Sequence, residues 1–117
     1  MNLMKHIFLF LILVLTLHLG SVRFFDEYLL PGQELGMVVN ILNYNDDDLD
    51  NVRLTIYMPG LGFYYRSGTF DVENNDVYGK LVYDSVPGDA EPGVYLAKVT
   101  ISNDDFRESE YRFITIV

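Results

Sequence analysis

Leu35, Met37, Val39 and Ile41 alternate with Gly36, Val38, Asn40 and Leu42, a period of two that dominates the chain after residue 20. Successive side chains on a strand point to opposite faces, so such alternation marks a half-buried strand. The cleanest case is Val52, Leu54, Ile56 and Met58 interleaved with Arg53, Thr55 and Tyr57. Tyr95, Ala97, Val99 and Ile101 repeat the pattern against Leu96, Lys98 and Thr100. The run from Tyr111 to Val117 is aromatic and β-branched, as strands prefer. Shorter strands are predicted over Phe24–Leu30, over Gly62–Arg66 with Thr69–Glu73, and over Tyr78–Asp84. Turn signals separate them: Pro31-Gly32, the polar stretch from Asn43 to Asn51, Pro59-Gly60, Asn74-Asn75-Asp76, Pro87-Gly88, Pro92-Gly93 and Asn103-Asp104-Asp105. No stretch after Gly20 holds a helical period for ten residues. About seven short strands at near-regular spacing predict an all-β antiparallel sandwich. Leu54, Ile56, Val39, Ile41, Tyr95, Ala97 and Val99 should face its interior.

The N-terminus follows another rule. Lys5 and His6 precede an apolar run from Ile7 to Leu17, which leads through His18 and Leu19 to the small residues Gly20 and Ser21. A basic start, about a dozen apolar residues and a small-residue exit fit a secretory signal peptide. The run is shorter than the ~20 residues a membrane-crossing helix needs. The small residues do not fall at an A-x-A spacing, so a retained N-terminal anchor, extended by Val22, Phe24 and Phe25, is the alternative. The expected organisation is therefore a hydrophobic helix over 1–22, as signal peptide or membrane anchor, and a β-sandwich domain over 23–117. Either form sends the domain outside the cell or onto its surface; residues 7–22 would touch the membrane if kept.

Charge and composition remove several functions. The chain of 117 residues has 8 Lys+Arg against 17 Asp+Glu, a formal charge of −9, and every acid lies at or after Asp26. Such a balance argues against nucleic-acid binding, which needs a basic stripe. With no Cys, disulfides and thiolate chemistry are absent. Residues 23–117 contain no His, so neither a Ser–His–acid triad nor a His-based zinc site can be built there. The glycines never form a phosphate loop followed by Lys and Ser or Thr. Glu108 with Glu110, and Asp104 with Asp105, are the remaining acid pairs. A glycosidase places its pair ~5–9 Å apart across a deep cleft, which a small sandwich rarely has. These pairs read as solvated charge, and no catalytic residue is expected.

Pro31-Gly32-Gln33-Glu34, a strand ending at Asn43, a polar loop, then Asp50-Asn51-Val52-Arg53-Leu54 and Pro59 resembles the small immunoglobulin-like modules of archaeal and bacterial surface proteins, of the CARDB and NPCBM-associated (NEW3) kind. Val86-Pro87-Gly88-Asp89-Ala90-Glu91-Pro92-Gly93-Val94-Tyr95 is similar to the segment those modules carry before a late strand. The resemblance spans most of 31–117 and implies a sandwich that serves as a spacer, adhesion or assembly module without catalytic residues. Independently, Glu91-x-Gly93-x-Tyr95-x-Ala97 has the spacing of an immunoglobulin tyrosine corner, with Ala97 where an antibody domain places its second Cys. The Tyr95 hydroxyl should then bond upstream backbone.

Two stretches suggest ligand chemistry. Asp46-x-Asp48-x-Asp50 copies the first three ligand positions of a calcium loop, but position six is Asn51 and position twelve is Tyr57. A looser calcium site and a hydrated turn are both open readings. Tyr57, Phe63, Tyr64 and Tyr65 would serve as interaction residues if exposed, stacking on sugars or anchoring a protein, and would fill the core if buried. Tyr57 lies on the polar phase of its strand and is the best candidate for exposure. The expectation is a non-enzymatic interaction or structural module at the cell surface, whose partners are envelope or filament proteins, copies of itself included. A carbohydrate- or calcium-binding sandwich and a pilin-like filament subunit are the alternatives. No Asn-x-Ser/Thr sequon occurs, so N-glycosylation is not expected.

Overall fold

Alternating apolar positions need a second apolar layer to cover them, and two sheets packed face to face provide it. The computed structural model describes residues 17–44 and 46–117, and over these the chain is all-β. The strands are β1 (Leu17–Phe24), β2 (Tyr28–Leu29), β3 (Glu34–Asn43), β4 (Leu49–Met58), β5 (Phe63–Arg66), β6 (Phe70–Val72), β7 (Asp76–Ser85), β8 (Gly93–Ser102) and β9 (Arg107–Ile116). A single 3-10 turn, Pro59–Leu61, joins β4 to β5.

One sheet has the order β1-β3-β7, the other β2-β9-β8-β4-β5, with β6 also pairing β4. All pairings are antiparallel except β2 with β9, where Tyr28 faces Thr115 and Leu29 faces Ile116. Val39, Ile41, Leu54, Ile56, Ala97 and Val99 are completely buried between the sheets, as their alternation predicts. Tyr95 is only half-buried, because its ring packs on the core while its hydroxyl reaches back to the carbonyl of Glu91 at 2.6 Å. That bond closes the tyrosine corner that the spacing predicts. Gly60 is needed beside it: a Cβ there would stand 2.8 Å from the Tyr95 ring.

The N-terminal half of the expectation changes. Residues 1–16, which hold most of the predicted hydrophobic helix, lie outside the described residues. From Leu17 to Phe24 the chain is strand rather than helix, paired with β3 from Leu17↔Asn43 to Phe24↔Met37. The cause is local alternation: Val22 and Phe24 are buried, while Ser21 and Arg23 between and beside them face solvent. The sandwich thus takes in residues on both sides of the 22/23 boundary. Pro31 and Gly32 then turn the chain, with Gln33 N–H donating to the carbonyl of Leu30 at 3.0 Å and Gly32 at φ +82. This is a type II turn, whose third position favours glycine.

Candidate functional site

The inward phase of β4 makes core, so its outward phase, Arg53, Thr55 and Tyr57, belongs to the outer face of the larger sheet. Register then assembles three rows across that face. Tyr64 lies beside Tyr57, Tyr57 beside Lys98, and Lys98 beside Tyr111. One step along, Arg66 lies beside Thr55, Thr55 beside Thr100, and Thr100 beside Ser109. In the third row Arg53 and Arg107 flank Ser102. Neighbouring strands are ~4.8 Å apart, so residues from four strands surround one concavity.

That concavity is a cleft of about 370 Å³. Its floor is hydroxyl-rich: Thr100 is 4% exposed, and its Oγ1 lies 2.8 Å from Ser109 Oγ. Its walls carry four cations, Arg53, Arg66, Lys98 and Arg107, and no carboxylate. Half of the eight basic residues of an acidic chain therefore converge on one depression. None of the four is in an ion pair; the one ion pair among the described residues joins Arg112 to Glu110 at 2.9 Å, outside the cleft. The Lys98 ammonium is 6.0 Å from the Tyr111 ring centre, at the reach of a cation–π contact. Arg53 Nε is buried without a hydrogen-bond partner. Leaving such a donor unpaired costs about 1–3 kcal/mol.

The four aromatic candidates divide by strand phase. Tyr57 and Tyr64 point outward, 47% and 61% exposed, with ring centres 6.1 Å apart in edge-to-face geometry. Phe63 and Tyr65 turn inward, Phe63 buried and Tyr65 packed against the core. The exposed pair forms one rim of the cationic cleft.

The acidic loop is organised as a turn. Asp48 Oδ1 accepts the N–H of Asn74 at 2.9 Å, and Asp71 Oδ1 accepts that of Asn51 at 3.1 Å. The buried Asn43 amide donates to the carbonyls of Asp47, Val72 and Glu73 at 3.1, 3.0 and 3.2 Å. These bonds tie the β3–β4 loop to the β6–β7 turn. Among the described residues, no three acidic or His side chains gather closely enough to hold a metal, so Asp46, Asp48 and Asp50 are not brought to a common centre. Glu110 is taken up by Arg112 rather than paired with Glu108 for catalysis.

The cationic cleft escapes sequence reasoning because its arginines and lysine come from four separate strands. The available signal was their phase: Arg53 and Lys98 each sit at an outward position of a strongly alternating strand.

No protein-family model and no curated protein matches the sequence. Solved structures do. The crystal structure of the CARDB domain of a Pyrococcus furiosus protein, in complex with di-metal ions, is 11% identical with a TM-score of 0.69, over 86% of this chain and 87% of that one. The solution structure of the same domain is 12% identical with a TM-score of 0.69, over 87% of this chain and 94% of that one. A family 123 glycoside hydrolase from Clostridium perfringens is 15% identical with a TM-score of 0.64, over 86% of this chain but 27% of that one. Likeness at such identities speaks for the fold, and the fold is a CARDB-like, immunoglobulin-type β-sandwich.

Proposed function

We propose that this chain is a non-catalytic module exported to the cell surface, where it binds a partner through the outer face of its larger sheet. The observation that carries the reading is the concentration of unpaired cations and exposed tyrosines on that one face. Supporting it, the chain has no Cys and residues 23–117 have no His, so the commonest nucleophilic and zinc chemistries have few groups to work with. The likeness to CARDB domains supports a module without catalytic machinery, and the glycoside hydrolase likeness concerns about a quarter of that enzyme's chain. Export rests on Lys5 and the apolar run from Ile7 to Leu17. No helix among the described residues is long and apolar enough to cross a membrane.

Protease added outside intact cells of the producing organism tests this reading. Digestion of the protein, with a cytoplasmic marker left whole, is the expected outcome. Full protection until the cells are lysed would contradict it.

A further inference from the structure

We infer that the cleft between Tyr57, Tyr64, Arg66, Arg53 and Arg107 is a binding site for a carboxylate-bearing glycan, a chain of uronic acid sugars. The inference deepens the reading of this face as a binding surface and rests on it.

Each part of the cleft answers to one part of such a ligand. Guanidinium groups take a carboxylate in a forked, two-bond geometry, and three arginines are offered without a competing acid. Arg53 lines the cleft and its Nε has no hydrogen-bond partner, so its guanidinium group has no acceptor within the protein to give up. The floor of Thr55, Thr100 and Ser102 can give and take hydrogen bonds with sugar hydroxyls. The exposed faces of Tyr57 and Tyr64 offer apolar surface for the C–H side of a sugar ring. At about 370 Å³ the cleft falls within the ~300–1,000 Å³ typical of small-ligand sites. A polyphosphate backbone would gain from the cations but leave the hydroxyl floor and the tyrosine rim largely unused.

Calorimetric titration of the full chain with tetragalacturonate at low ionic strength tests the assignment. The neutral tetrasaccharide galactotetraose, inorganic sulfate and a short oligothymidylate serve as comparison ligands. Tetragalacturonate should bind at least roughly tenfold more tightly than each of the three, and added salt should weaken it. The Arg66→Ala/Arg107→Ala variant changes two exposed side chains and should keep the wild-type melting curve while losing roughly tenfold or more in affinity. Arg53→Met should lose as much. Arg23→Ala, on the outside of the other sheet, should bind as wild type. Absence of binding, equal binding of galactotetraose, sulfate or oligothymidylate, or a well-folded arginine double variant with unchanged affinity would each overturn the assignment. If the titration fails while the protein is digested on intact cells, the ligand class falls and the surface-module reading stands.

Discussion

Asn43 ends β3 with its side chain completely buried and its amide donating to three backbone carbonyls, two of them about thirty residues away. Replacing it removes the buried bond to the Val72 carbonyl, where water does not readily compensate, together with two part-buried bonds. Asn43→Ala should lower the unfolding free energy by about 2 kcal/mol, measured by urea denaturation; an unchanged midpoint would contradict this role. Tyr95→Phe removes one hydroxyl bond to Glu91 and keeps the ring, so its cost should be smaller, about 1 kcal/mol. The two residues also differ in how far they could be read in advance. Tyr95 announces itself through local spacing, because its partner is four residues upstream. Asn43 looks like an ordinary turn residue, since Val72 and Glu73 meet it only through tertiary packing.

At the scale of elements, the strands whose two faces differ most in polarity were the legible ones. β4 and β8 alternate almost without error, and their inward residues were identified from the sequence alone. β1 was hidden, because an apolar run flows directly into it and masks the alternation of Val22 and Phe24 with their polar neighbours. β7 offers a weak pattern, being an edge strand with most of its side chains exposed. A chain beginning at Arg23 loses the β1–β3 ladder over residues 17–22 and the burial of Val22. Its circular dichroism should remain β-dominated, while its unfolding free energy should fall by about 2 kcal/mol relative to a chain beginning at Leu17. Equal stability of the two would show that β1 adds nothing to the sandwich. The C-terminal strand is more deeply committed. Ile114 and Ile116 are buried, β8 pairs one side of β9, and Thr115 and Val117 donate to the carbonyls of Glu27 and Leu29 on the other. Removing Ile114 to Val117 should therefore cost at least ~3 kcal/mol, since each buried Ile contributes about 1.5–3 kcal/mol. A truncated protein with an unchanged melting temperature would contradict this arrangement.

For the whole molecule, an acidic composition concealed a local surplus of positive charge. Counting residues gives −9 and argues against a nucleic-acid partner, whereas register gathers four of the eight cations into one cleft. Registers of β4 against β5 and β8, and of β8 against β9, depend on tertiary pairing, so the cleft was not legible although the strands β4 and β8 were. The acidic loop shows the reverse: a suggestive Asp-x-Asp-x-Asp spacing in which the Asp48 carboxylate and the Asp47 carbonyl instead join two loops. Calcium should accordingly leave the melting temperature within about 1 °C of its metal-free value. A site held at 100 times its dissociation constant would add about 2.7 kcal/mol, and a shift of that size, abolished by Asp48→Asn, would restore the metal reading. The central claim is that the larger sheet's outer face meets the partner. Tyr83, exposed on the smaller sheet, gives a matched comparison for Tyr64. A photo-reactive phenylalanine analogue can be placed at either position and illuminated in the producing cells. Covalent adducts from position 64 and none from position 83 are the result this account predicts; adducts from position 83 alone would contradict it.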